Sequence, residues 1–304
     1  MKNNLILLMV AILLSGISLS AFSQKKPTAK KEIGIQLYSV RERIGSHDKA
    51  DATKNPDYAK MLRTIAEMGY TSVEAAGYNS GKFYGLTPQE FKKGIESAGL
   101  KALSSHVMRP LTPTELENAD FSEALKWWDV VIADHKAAGM SYIVTPWLDL
   151  PKTVKDLDTY CKYFNEIGKR CRESGILYGY HNHTQEFEKV EGKEVMLDYM
   201  LTHTSPENVF FELDVYWVII AKNSPVTYFK KYPGRFKTLH IKDQSEIGQS
   251  GMVGFDAIFK HAELAGVKDI FVEIEGYKTA TLEESMKQSV DYLLQAPFVK
   301  NTYK

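Results

Sequence analysis

Eight short apolar runs recur along the chain at a steady interval, and helical patterns fill the gaps between them. The runs are "IGIQLYS" (33–39), "TSVEAAG" (71–77), "KALSSH" (101–106), "SYIVTPW" (141–147), "ILYGYHN" (176–182), "VFFELDV" (209–215), "KTLHIKD" (237–243) and "IFVEIEG" (270–276). Between them apolar residues return at three and four spacing, as in "YAKMLRTIAEMG" and "FSEALKWWDVVIADHKAAG", and several of these segments close on a glycine, the usual end of a helix. Eight strand–helix units in about 270 residues are the count and length of a single (β/α)8 TIM barrel, assigned here to residues 33–300. An open doubly wound sheet is the alternative, but no glycine-rich phosphate turn follows the first strand. A chain of 304 residues with 44% hydrophobic content can bury such a core. No second domain, low-complexity tract or close repeat stands out.

The N-terminus reads differently. "MKNNLILLMVAILLSGISLSAFSQ" has a short basic start, an apolar run from Leu5 to Leu14, and small residues up to Ala21-Phe22-Ser23. Residues 1–23 are expected to be a signal peptide cleaved near Ser23, because the apolar run is too short to span a bilayer comfortably; an uncleaved anchor is the other reading. Residues 24–32, including "KKPTAKKE", read as a polar linker. A secreted or periplasmic protein with no stable membrane anchor is the expectation. Export permits disulfides, yet Cys161 and Cys171 lie ten apart on a helical pattern. That separation is about 15 Å against a limit of roughly 7 Å between bridged Cα atoms, so both should be free thiols. With 38 basic and 38 acidic residues there is no electrostatic footprint for nucleic acid. A homo-oligomer stays open.

In a TIM barrel the chemistry sits at the C-terminal ends of the strands. His106 ends the third run, His181 and His183 the fifth, Asp214 the sixth, His240 the seventh, and Glu273 and Glu275 the eighth. These four histidines are half of the eight in the chain; His47, His135, His203 and His261 fall in loops or helices and read as structural or solvated. Side chains alternate across a strand, so His181 shares a face with Leu177, Gly179 and His183. By the same rule Phe210, Glu212 and Asp214 go together, as do Thr238, His240 and Lys242, and Phe271, Glu273 and Glu275. Imidazoles and carboxylates from successive strands thus converge, a donor mix that suits one divalent Zn, Mn or Co ion acting as a Lewis acid. The plain alternative is a polar barrel mouth whose groups hydrogen-bond to one another.

The segments "IGIQLYSVR", "GYHNHTQEF", "ELDVYW", "HIKD", "VGFDAIFK" and "VEIEG" together resemble the xylose isomerase-like TIM barrels, the sugar phosphate isomerase/epimerase family. The resemblance covers essentially the whole mature chain and is weakly specific for substrate. It implies a metal set of His181, Asp214, His240 and Glu273, and an enediolate mechanism of isomerisation or epimerisation on a small carbohydrate or polyol. Keto-sugar lyase or dehydratase chemistry follows from the same proton abstraction. A sugar-binding barrel without catalysis is a further alternative.

Two departures from the family pattern matter. Epimerases of the family carry a glutamate where this chain has His181, and a metal-bound imidazole is a poor base. The α-proton would then go to Glu273 or to a free neighbour such as His183 or Glu186, with Lys242 as acid, as holder of a substrate oxygen, or as half of an ion pair. The loop after "HIKD" reads "QSEIGQSG" where those epimerases carry an arginine, which argues for a non-phosphorylated substrate. Candidate substrate contacts are Tyr38, His106, Glu275, Trp217 (sugar-stacking face or packing) and Glu74 (hydroxyl contact or salt bridge). Trp127 and Trp128 read as packing. Tyr78, Phe83 and Tyr84 either rim the sugar site or anchor their loop.

Overall fold

Period-two burial decides what fills the barrel and what faces the helices. The computed structural model describes residues 30–46 and 50–303; the leader assigned to 1–23, the linker up to residue 29 and His47 lie outside them. The strands are β1 (Gly34–Gln36), β2 (Ser72–Ala75), β3 (Lys101–Ser105), β4 (Tyr142–Thr145), β5 (Leu177–His181), β6 (Val209–Asp214), β7 (Phe236–Ile241) and β8 (Asp269–Val272). They form one parallel sheet in the order β3-β2-β1-β8-β7-β6-β5-β4. A parallel bridge between His106 and Val144 joins its two ends, with Val107 N–H donating to the Val144 carbonyl at 2.9 Å. The expected TIM barrel is the fold. Two short hairpins, Tyr78–Asn79 with Lys82–Phe83 and Lys189–Val190 with Glu194–Val195, were not legible in the apolar pattern.

Two strands are shorter than their apolar runs. β1 stops at Gln36 because that side chain turns back to accept from the Tyr38 N–H at 3.1 Å, capping a 3-10 turn over Leu37–Val40. Tyr38 is therefore in the turn. β8 stops at Val272; Ile274 N–H leaves the ladder for Ser39 Oγ at 2.9 Å, which puts Glu273 and Glu275 just beyond the strand. Glu273 N–H still donates to the Ile241 carbonyl at 3.1 Å, tying it to β7.

Outward residues such as Ile35, Val73, Ile143, Leu213, Leu239 and Ile270 pack under the helices. The inward ones are layered. At the N-terminal end of the strands Phe210 packs with Tyr142 and Val144, and Phe271 lies against Gly34. A Cβ on Gly34 would come within 2.5 Å of the Phe271 ring and one on Gly179 within 2.5 Å of the Phe210 ring, so both glycines make room for these aromatic plugs. Higher up, the interior turns polar.

Helices begin where the sequence offers caps. Thr87 with Glu90, Thr112 with Glu115 and Thr281 with Glu284 form capping boxes, satisfying backbone N–H groups that a first turn leaves free. Cys161 and Cys171 lie buried and unbridged in the helix Val154–Glu173. At the start of the barrel, Lys31 Nζ donates to the Leu293 and Ala296 carbonyls and Glu32 N–H to Asn301.

Candidate active site

The polar interior has a lower layer whose hydrogen bonds are closed. Glu74 is fully buried on β2. Its Oε2 accepts from Gln36 Nε2 at 2.7 Å and from His240 Nε2 at 2.7 Å, and its Oε1 from Ser104 Oγ at 2.6 Å. Glu212 Oε1 accepts from Thr238 at 2.8 Å, while Oε2 meets His106 Nε2 at 2.9 Å and His240 Nε2 at 3.1 Å. Burial opposes charge on His106, but Glu74 and Glu212 outweigh it and raise the imidazole to about 9. Burial likewise penalises the Glu212 carboxylate, yet the histidines around it hold it well below its usual range. Each ion in this layer is matched, as a buried charge requires.

Directly above, the accounting changes. Asp214 ends β6 and caps the next helix: Oδ1 accepts from Tyr216 N–H at 2.9 Å and Trp217 N–H at 3.0 Å. Its Oδ2 is buried and, among the described residues, has no hydrogen-bond partner. Nδ1 of His181 and Nδ1 of His240 are likewise buried without a hydrogen bond, each 3.4 Å from a carboxylate oxygen, of Glu212 and Glu273 respectively. Ligand atoms of His181, Asp214, His240 and Glu273 all lie within 4.8 Å of one another. His106, His181, Glu212 and His240 also satisfy that distance, but the His106 Nε2 and both Glu212 oxygens are already engaged. Buried polar atoms without a hydrogen bond are rare, and here three of them converge with a carboxylate. Two imidazoles and two carboxylates fit a divalent ion such as zinc. Burial pushes the Asp214 carboxyl up to about 7, and burial together with the nearby His240 charge lowers His181 to about 4. His240 itself is held well above its usual value, Glu212 and Glu273 outweighing burial. Its Nε2 contact with Glu74 fixes the ring with Nδ1 upward, the carboxylate–histidine arrangement that orients metal ligands.

This layer opens into a cavity of about 290 Å³ lined by Tyr38, His106, Trp147, His183, Glu273 and Glu275 among others. Lys242 is buried behind it, its Nζ 2.9 Å from Glu273 and 2.8 Å from Glu275. Burial disfavours its charge, but Glu273, Asp214 and Glu275 more than restore it, so the ammonium stays protonated. It also lies 5.1 Å from the Trp217 ring centre, a cation–π distance. His183 packs against His181 and Trp147, each 4.9 Å away between ring centres; burial lowers it to about 2, so the ring is neutral.

The remaining expected site residues are placed as follows. Glu186 is buried in the turn Gln185–Phe187, where Oε1 accepts from Tyr180 O–H and Oε2 from His183 N–H, each at 2.7 Å. It braces the loop that carries His183. Glu74 lies in the closed layer and is an ion-pair partner. Phe83 and Tyr84 are fully buried and anchor their loop. Trp128 is core, its indole N–H donating to the Tyr163 hydroxyl oxygen at 2.7 Å. His135 is buried against Tyr78 and Phe83. Glu212, Gln36 and Ser104 were not singled out as functional, although Glu212 is on the inward face two residues before Asp214. Trp147 was legible only as the end of the fourth apolar run.

The sequence model of the xylose isomerase-like TIM barrel family matches residues 62–296. A crystal structure of a sugar phosphate isomerase/epimerase from Parabacteroides distasonis ATCC 8503 is similar at a TM-score of 0.80 and 35% identity, over 90% of this chain and 97% of that one. An inosose dehydratase of Lacticaseibacillus casei is 25% identical over 204 residues, which are 62% of this chain and 67% of that protein. A zinc-bound IOLI protein shares the fold at a TM-score of 0.64 and 14% identity, over 88% of this chain and 98% of that one.

Proposed function

The chain belongs to the xylose isomerase-like TIM barrel family, and on that premise we propose that it is a metal-dependent isomerase or epimerase of a non-phosphorylated carbohydrate. The observation that carries this reading is the convergence, on the Glu273 carboxylate, of three buried ligand atoms that make no hydrogen bond among the described residues, beside a cavity of about 290 Å³. A divalent ion held by His181, Asp214, His240 and Glu273 would polarise a substrate carbonyl and its neighbouring hydroxyl.

The chain's own groups supply the rest. Glu273 and Glu275 line the cavity and are the carboxylates placed to take the proton from the carbon beside the carbonyl. Lys242, a fixed cation between them, holds the oxygen on which negative charge collects. His183, a neutral ring on the cavity wall, hydrogen-bonds a substrate hydroxyl. Two carboxylates on the wall make a phosphorylated substrate unfavourable.

Return of the proton to carbon gives isomerisation or epimerisation. Loss of a β-substituent from the same enediolate gives a lyase or dehydratase, a second reading favoured by the likeness to an inosose dehydratase. Incubation of the metal-loaded protein with free sugars, glycosides and their keto derivatives in deuterated water separates these outcomes. Deuterium gained at carbon with no bond lost identifies an isomerase or epimerase, and release of water or an aglycone a lyase. Binding without either sinks the catalytic reading and leaves a sugar-binding barrel. Export is part of the proposal: protein recovered from its native cells should begin near Gln24, and an intact Met1 would overturn this.

A further inference from the structure

A second cavity, about 570 Å³ and so roughly twice the first, opens beside the candidate active site. It lies between the loops that follow β3 and β4, on the same end of the barrel. Met108 and Trp147 line both cavities, so these two side chains form the seam between them. Both are exposed, Met108 at 45% and Trp147 at 42%. The indole is not loose, because its Nε1 donates to Asp149 Oδ1 at 2.8 Å. Its edge meets His183, which faces the reacting end.

The floor beyond the seam is apolar, built by Leu111, Leu116, Leu148 and Phe164, and the rim carries Arg109 and Lys152. It is built to hold its shape. Arg109 makes two bonds to Glu115, at 3.1 and 2.8 Å, and its carbonyl accepts from Tyr163 O–H at 3.1 Å. A preformed apolar slot with a few polar groups at its edge has the character of a small-molecule site. The reacting cavity alone is at the small end of such sites, about 300 Å³ and upward.

Resting on the reading that the first cavity takes a carbohydrate, we propose that the second receives a ring attached to that sugar, so that the substrate is a glycoside whose carbonyl is a ketone on the sugar ring, its anomeric carbon being closed. The attached ring, an aryl aglycone or the apolar face of a second pyranose, stacks on Trp147 and covers the leucine floor. The reacting sugar then sits against His183, Glu273 and Glu275.

The test uses the metal-loaded full chain and matched methyl, phenyl and disaccharide keto-glycosides derived from glucose, galactose and xylose, with binding read by calorimetry. The phenyl or disaccharide form should bind about 10- to 100-fold tighter than the methyl form, the worth of burying one ring. Whichever form gains identifies the attached ring. The advantage should fall toward one in Trp147→Ala and in Leu116→Trp, which fills the floor, with circular dichroism confirming that each variant is folded. Equal affinity for methyl and extended glycosides would overturn the assignment while leaving the carbohydrate reading intact, and so would an advantage that survives both substitutions. Binding of none of them would overturn both.

Discussion

Two layers of the barrel, a few ångströms apart, are made of the same residue types and differ in one respect. In the lower, Glu74, Glu212 and His106 have every buried polar atom engaged. In the upper, among the described residues, Asp214, His181 and His240 each keep one buried atom outside any hydrogen bond, the two imidazole Nδ1 atoms standing 3.4 Å from carboxylate oxygens of Glu212 and Glu273. A closed network rigidifies; an open one is poised for a guest. His240 belongs to both, with Nε2 down on Glu74 and Nδ1 up. The comparison teaches that residue type does not separate scaffold from site in this interior, whereas counting donors and acceptors does.

The sharpest way to break the contrast is His240→Ala. The upper layer should lose most of its metal, and activity should fall by at least about 10³-fold, since a bound ion contributes several kcal/mol to the transition state. Circular dichroism should still report a barrel. Stoichiometric metal retained in the variant would place the ion elsewhere.

Next in size is the pair that separates ligation from substrate contact. His183→Ala should keep the metal and lose roughly 10²–10⁴-fold in turnover, whereas His181→Glu should keep the metal because carboxylate and imidazole both serve such ions. Metal lost in His183→Ala but retained in His181→Ala would mean the two histidines have exchanged roles.

The lower layer is probed by Glu74→Ala, which strands the donors of Gln36, Ser104 and His240. Denaturant unfolding should show a loss of about 3–5 kcal/mol, with metal affinity down roughly 10–100-fold through the freed His240 ring. Unchanged stability would remove the distinction between the layers.

The smallest effect is a control far from either layer. Burial lowers His135 to about 4, below its unfolded value near 6.5. A folded pKa below the unfolded one gives stability that is present above about pH 6.5 and lost as pH falls through 4. Against His135→Gln, the native chain should therefore lose an additional 1–3 kcal/mol, as an order of magnitude, between pH 6.5 and 4. Parallel pH profiles for the two proteins would refute it.

Much of this architecture was legible in the sequence. Eight apolar runs at a regular interval specify the barrel; period two groups His181, Asp214, His240 and Glu273 with their face-mates, and the family resemblance is what singled these four out. What could not be read was the closure of hydrogen bonds across strands distant in sequence. Glu74 and His240 are 166 residues apart, and no local pattern reveals that they pair. The short hairpins escaped notice because two-residue strands carry no periodicity. The second cavity escaped because it is formed between two loops, neither of which carries a metal-ligand candidate.

Asp214 uses one oxygen to hold the start of the helix Val215–Ile220 and leaves the other free. Its position is therefore set by backbone geometry before any ion arrives, and the helix does not depend on the ion for its cap. Structural zinc modules commonly fold only when metal binds; here the ligand is pinned by the fold itself. Any divalent ion held there should thus exchange for another without refolding, and its identity in the cell would then follow supply as much as sequence.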